Sequence, residues 1–159
     1  MRLWGRASGA PAIAWADAEA RLAATEEYWL VSVRSDGTPT PRPVWGVWLD
    51  ERLLLSVGST SHWRGIGTNP EVSVHLGDAL AVLILEGRAR KAAGEELFEQ
   101  YVEIYNSKYS WNFDAANPMV VDGTIEVLPS VVLAWNTVPV AECSPDMEFP
   151  NSAGRWTFR

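Results

Sequence analysis

Three short turn signals, Asp36-Gly37, Asp50-Glu51 and Gly77-Asp78, break the stretch between Tyr28 and Lys91 into runs that alternate apolar and polar residues. A two-residue connection joins antiparallel strands only, because a parallel pair needs a crossover of a dozen residues or more. Asp36-Gly37 is the strongest of the three, since both central positions favour positive φ. The runs fall at 28–34, 40–49, 52–57, 71–76 and 80–91, and a sixth at 124–135 is bent at Pro129. Helical periodicity is confined to 15–27, to a short piece after Gly58 and to 94–108. Six strands with so few helices predict a mainly β chain: a small antiparallel barrel with peripheral helices at its rim, and not a doubly wound sheet.

The individual runs sharpen that expectation. Trp15, Ala18, Leu22 and Ala23 recur at helical spacing among charged residues, as in an amphipathic lid lying on the barrel. Pro41 and Pro43 cannot donate to a ladder, so the start of their strand lies at a sheet edge or where the backbone faces a ligand. Gly46 leaves room for a neighbouring tryptophan or a planar ligand. In 71–76, Val72, Val74 and Leu76 point inward, which makes His75 a half-exposed strand residue. The first half of 80–91 is apolar on both faces, Leu83 and Leu85 against Val82 and Ile84, and is expected to be buried on both. Phe98, Tyr101, Val102 and Tyr105 form a stripe at i, i+3, i+4 and i+7 that reads as core packing.

The 159 residues fit a single domain, with an N-terminal helical segment at 1–27 and a C-terminal tail at 136–159. The net charge of −7 and the scattering of 13 basic residues argue against nucleic acid or an anionic membrane as partner. No apolar run reaches the ~18–20 residues of a membrane span, and the first residues lack the core of a secretory signal, so a cytoplasmic location is expected. Cys143 is the only cysteine, and neither a metal-ligand cluster nor a Ser/His/Asp spacing is present. The surplus is in tryptophan, nine residues, which suits a broad packed interface or a pocket for a flat, partly polar ring.

One stretch offers anion chemistry. Leu53 to Val57 reads as a buried strand, and beyond Gly58 come Ser59, Thr60, Ser61, His62 and Arg64 where a helix begins. A helix N-terminus directs free N–H groups and partial positive charge outward, so a phosphate could take hydroxyls from Ser59, Thr60 and Ser61 and a fixed charge from Arg64. The same hydroxyl residues also serve as ordinary helix N-caps.

The order Tyr28-Trp29-Leu30-Val31-Ser32-Val33, Asp36-Gly37-Thr38-Pro39, Arg42-Pro43-Val44-Trp45-Gly46-Val47-Trp48, Asn69-Pro70 and Leu85-Glu86-Gly87-Arg88-Ala89 resembles the pyridoxamine 5'-phosphate oxidase-like FMN-binding split-barrel family. Lys108-Tyr109-Ser110-Trp111 and Arg155-Trp156-Thr157-Phe158 extend the likeness more loosely. The resemblance implies a homodimeric six-stranded antiparallel split barrel with FMN, or the related deazaflavin coenzyme F-420, at the dimer interface. It places the cofactor along Arg42, Pro43 and Val44, with Trp45 next, and the phosphate at Thr60, Ser61 and His62. The family's Arg and Lys at that phosphate position are here Ser61 and His62, which leaves Arg64 as the nearby full charge. A flavin-type oxidoreductase acting on a small organic substrate follows, with no acid and base pair required because the cofactor carries the chemistry. Trp45, Trp111 and Trp156 would then wall the substrate pocket, and Lys108 or Arg155 would anchor an anion. The competing functions are a carrier that holds a flavin, a deazaflavin or a tetrapyrrole without turnover, and a structural dimer.

Overall fold

The computed structural model describes residues 2–3, 6–7, 11–58, 61–143 and 152–158, with backbone alone for 2–3, 6–7 and 61–64. Two-residue strands β1 (Arg2–Leu3) and β2 (Arg6–Ala7) pair with each other. The remaining order is α1 (Trp15–Ala24), β3 (Glu27–Val33), β4 (Pro39–Leu49), β5 (Arg52–Ser56), α2 (Ser61–Thr68), β6 (Glu71–Leu76), β7 (Ala81–Lys91), α3 (Glu95–Tyr109), α4 (Pro118–Gly123), β8 (Thr124–Asn136) and β9 (Ser152–Thr157).

Antiparallel pairing runs β5-β4-β3-β6-β7-β8, and β5 pairs again with β8 from Leu53↔Val127 to Ser56↔Thr124. That second pairing closes a six-stranded barrel, which leaves β9 outside on the free side of β8. Alternation sorts the side chains. Tyr28, Leu30, Val74, Leu83, Leu85 and Ile125 fill the interior, all within 1% of full burial.

The helices close what the strands leave open. Ala18 and Leu22 of α1 join the interior cluster at the end of the barrel marked by Tyr28 and Trp48, as the lid expectation requires. Ile66 of α2 enters from the other end, where Gly65 packs close to the Val33 carbonyl. The expected helix over 15–27 stops at Ala24, because β3 already begins at Glu27. On the outside, α3 lays Phe98, Tyr101, Val102 and Tyr105 against Val47 and Leu54, so the predicted stripe is core, but of a second cluster. Near its margin Glu126, 4% exposed, bridges Arg90 at 2.7 Å and Arg52 at 3.4 Å.

Several local expectations are corrected. Only Gly37 of the Asp36-Gly37 pair takes positive φ, in a turn closed by Gly37 N–H to Arg34 O at 2.9 Å. The two-residue turn with both φ positive is Asp50-Glu51, at 47° and 57°. The space beside Gly46 holds neither a tryptophan nor a ligand, because the Leu55 side chain fills it and a Cβ there would meet Leu55 Cδ2 at 2.5 Å. Val82 and Ile84 are half-exposed, so the first half of β7 is buried on one face only. The bend at Pro129 is a register shift opposite Glu86 and Gly87, where a Cβ on Gly87 would lie 2.3 Å from the Leu128 carbonyl oxygen. Within 136–159, read as a tail, Ser152–Thr157 forms β9.

Candidate cofactor cleft

β4 is longer than β5. Their ladder ends at Trp45↔Ser56, and Pro39 to Val44 continue with β3 as their only strand partner among the described residues. Pro39, Pro41 and Pro43 all fall on one phase of the ladder, so the positions whose N–H would face the missing neighbour have none to present. The proline expectation of a sheet edge is thus met where the barrel opens. Clefts lie on both sides of Trp45 at this opening. A smaller one of about 290 Å³ is bordered by Glu27, Pro43, Val44, Trp45 and Ser56. A larger one of about 580 Å³ shares Trp45 and Ser56 and runs toward α3 and α4.

Aromatic side chains wall the larger cleft. Trp45 stacks on Tyr109 at 5.5 Å and 19°, and Trp111 lies 6.4 Å from Trp45. Both indoles are nearly half exposed, 44% and 48%, an unusual state for large apolar rings with no cover. Trp111 in turn stacks on Phe113 at 5.2 Å and 11°. The loop carrying them is fastened by Asn106, whose side-chain amide donates to Phe113 O and accepts from Phe113 N–H, each at 2.9 Å. Ser110 makes that reversal in the left-handed region, at φ 57°. Tyr101 and Tyr105 line the inner side, and burial raises both hydroxyls above the usual tyrosine range. Met119, on α4, is 74% exposed at the rim.

The last turn of α3 fixes the wall from behind. The Lys108 amine donates to Gly46 O, Tyr28 Oη and Ala23 O, each at 3.1 Å, and lies over the Tyr28 and Tyr109 rings. Burial lowers its pKa to about 8. The Tyr109 hydroxyl donates to Glu26 O at 2.6 Å and accepts from Gly46 N–H at 3.1 Å, and burial pushes it up to about 12. Both backbone groups of Gly46, the neighbour of Trp45, are therefore held by side chains of α3.

The candidates read from the sequence divide accordingly. Pro43, Val44 and Trp45 border the clefts. Arg42 is exposed on the same strand, its guanidinium 2.8 Å from Pro41 O. Ser59 and Thr60 lie outside the described residues; Ser61, His62 and Arg64 fall in the first turn of α2 by backbone, their side chains outside the description. Trp111 joins Trp45, whereas Lys108 is occupied behind it. Trp156 and Arg155 belong elsewhere in the chain: Trp156 packs on Trp15 at 5.2 Å, and Arg155 is exposed opposite Leu133. Sequence reasoning missed Ser56, Phe113, Met119 and the cleft-lining role of Tyr101 and Tyr105. The aromatic density of 109–113 was the available signal for Phe113.

The described lining fits the ring of a flavin or deazaflavin better than its phosphate. The exposed indoles of Trp45 and Trp111 offer flat apolar surface suited to a planar group. The charged residues among the described lining are Glu27 and Asp122, neither of which suits an anionic tail.

A protein-family model described as pyridoxamine 5'-phosphate oxidase matches residues 15–135. No curated protein sequence matches. Among solved structures, an F420 reductase aligns with a TM-score of 0.57 at 24% identity, over 72% of this chain and 94% of its own. A conserved hypothetical protein from Mycobacterium tuberculosis gives 0.67 at 16% identity, over 89% and 98%. HutZ, the heme storage protein from Vibrio cholerae, gives 0.54 at 15% identity, over 72% and 86%. Such identities speak for the fold alone. The family model, by contrast, spans the chain from the first residue of α1 almost to the end of β8, and the chain belongs to the pyridoxamine 5'-phosphate oxidase family.

Proposed function

We propose that this chain is a flavin-type oxidoreductase that binds FMN, or coenzyme F-420 in its place, along Arg42 to Trp45 and passes hydride between that ring and a small organic substrate. The observation that carries the reading is the position of Trp45. It borders the smaller cleft with Pro43 and Val44 and the larger one with Trp111, so the two clefts meet along one indole, beside which a cofactor ring and a substrate would lie in contact. When bound, the cofactor supplies the redox chemistry; the residues of the chain hold the two rings together and exclude water. The phosphate is assigned to Ser59, Thr60, Ser61, His62 and Arg64.

A homodimer belongs to the same proposal. Pro43, Trp29, His75, Ile84, Leu133 and Arg155 stand directly opposite one another across six strands, in one row on the outer face. Trp29 is 38% exposed with its ring parallel to His75 at 6.3 Å, and Ile84 and Leu133 are half-exposed. A partner covering this row would bury an apolar band and bring its own surface to Pro43 at one end and Arg155 at the other, where Arg155 could anchor a substrate. No helix among the described residues is long and apolar enough to cross a membrane, and the proposed site of action is the cytoplasm.

The second reading is a tetrapyrrole carrier. It is favoured by the apolar lining of the larger cleft and by Met119, which offers a thioether at its rim. Absorption titration of the purified protein with FMN, coenzyme F-420 and hemin separates the two. Saturable binding of FMN or F-420, followed by oxidation of the reduced form by a quinone or nitro compound, supports the enzyme. A Soret shift with hemin and no response to either flavin-type coenzyme replaces it with the carrier.

A further inference from the structure

At the end of β5 away from the cofactor cleft, a cavity of about 360 Å³ opens between the start of α1, the Asp50-Glu51 turn and β9. Three aromatic rings border it. Trp15, the first residue of α1, lies 5.2 Å from Trp156 and 5.2 Å from Phe158, at interplanar angles of 61° and 66°. All three pack against the barrel core yet remain partly open. The Trp156 ring is seated on Gly154, where a Cβ would stand 2.1 Å from its Cη2, so the glycine provides a bare stretch of strand for the indole to lie on.

Thr157 and Glu51 complete the lining. Among the described residues the carboxylate of Glu51 makes no ion pair and no hydrogen bond. It sits at φ 57°, directly after Asp50 at 47°, in backbone space that favours glycine. The turn thus presents an unpaired carboxylate beside the aromatic walls at a position where a side chain is conformationally disfavoured.

Aromatic faces are electron-rich and attract cations, and a carboxylate adds a full opposing charge. A bare ammonium is strongly hydrated, and rings cannot replace the hydrogen bonds it would surrender. A methylated ammonium spreads its charge over methyl groups, which gain both the quadrupole attraction and apolar contact. We propose that Trp15, Trp156, Phe158 and Glu51 form a receptor site for a methylated ammonium group, as carried by choline and its derivatives. The site is distinct from the cofactor cleft, and its test does not depend on the redox reading.

The test is calorimetric titration of the full-length protein with choline and with 3,3-dimethyl-1-butanol, its uncharged carbon isostere. Choline should bind saturably, one per chain, and the isostere about tenfold more weakly. Glu51→Gln, at an exposed turn and checked for folding by circular dichroism, should weaken choline about fivefold, and Phe158→Leu by a similar factor. Absence of choline binding, equal affinity for the isostere, or unchanged affinity in Glu51→Gln would each overturn the assignment.

Discussion

The Lys108 amine lies 3.1 Å from the carbonyl oxygen of Gly46, a residue 62 positions earlier in the chain. Because Trp45 precedes Gly46 and Tyr109 follows Lys108, this one bond ties the end of α3 to the wall of the cleft. It also places an ammonium where water is scarce, and that has a measurable consequence.

Burial brings the Lys108 pKa down to about 8, whereas the unfolded chain titrates near the ordinary lysine value of about 10.5. Below about pH 8 both states hold the proton, and the cost of burying the charge is constant. Above it the folded state releases a proton that the unfolded state keeps, so the Lys108 contribution to stability rises with pH toward 10.5. Tyr28, Tyr101 and Tyr109, whose hydroxyls burial pushes up, act oppositely above about pH 10. The urea midpoint of the wild type should therefore gain from Lys108 between about pH 7.5 and 9.5, and that increment should be missing in Lys108→Met. Parallel pH profiles for the two proteins would contradict it.

Gly46→Ala should be costly. Its Cβ would meet Leu55 Cδ2 at 2.5 Å and the Leu54 carbonyl oxygen at 2.6 Å, and the latter belongs to a paired strand that cannot retreat. A loss of about 1–3 kcal/mol in chemical denaturation is expected, with weaker cofactor binding through displacement of Trp45.

At the Asp50-Glu51 turn the change runs the other way. Glu51→Gly removes a side chain from φ 57° and should raise stability by about 1 kcal/mol, after allowing for the greater freedom of glycine in the unfolded chain. Thermal unfolding would reveal it as a higher Tm, with cofactor affinity unchanged.

Asn106→Ala removes both bonds that fasten the Trp111 loop and leaves Phe113 N–H and C=O without those partners. We expect a stability loss of about 1–2 kcal/mol. Substrate KM should rise by a larger factor than kcat falls, since Trp111 would keep its identity but lose its position.

For the proposed phosphate site, Arg64→Ala should weaken FMN or F-420 binding more than about tenfold, or 1.4 kcal/mol. If the His62 imidazole contributes as a cation, affinity should also fall between about pH 6 and 8, and a flat profile would remove it from the site.

Much of the barrel could be read from alternation, because one buried face writes itself into every second residue. Glu71–Leu76 was placed to the residue, and β4, β5, β7 and β8 to within one at either end. β9 escaped because Ala153, Gly154 and Thr157 carry little apolar signal; its partner is β8 and its glycine serves Trp156, both matters of tertiary context. The split of roles in the turns was hidden for a similar reason. Composition singles out Asp36-Gly37, yet the tight barrel corner falls on Asp50-Glu51, where the short link between β4 and β5 imposes positive φ on residues that do not favour it. At the site, Trp45 and Trp111 were named separately, and their meeting depends on a pairing across more than sixty residues that periodicity does not encode. Tyr101 and Tyr105 were rightly assigned to a buried face, but a helical stripe does not say that one side of it borders a cavity.

The prolines of β4 reach beyond the cleft they border. A lone stretch of strand usually invites another chain to extend the sheet, by swapping or by fibril growth. From Pro39 to Val44 the open side alternates carbonyls with ring nitrogens that carry no hydrogen, so an incoming strand would find acceptors and no donors. An incoming strand could donate to these carbonyls but would receive nothing back, so no full ladder forms and the mouth of the barrel stays available to small ligands even when the protein is crowded.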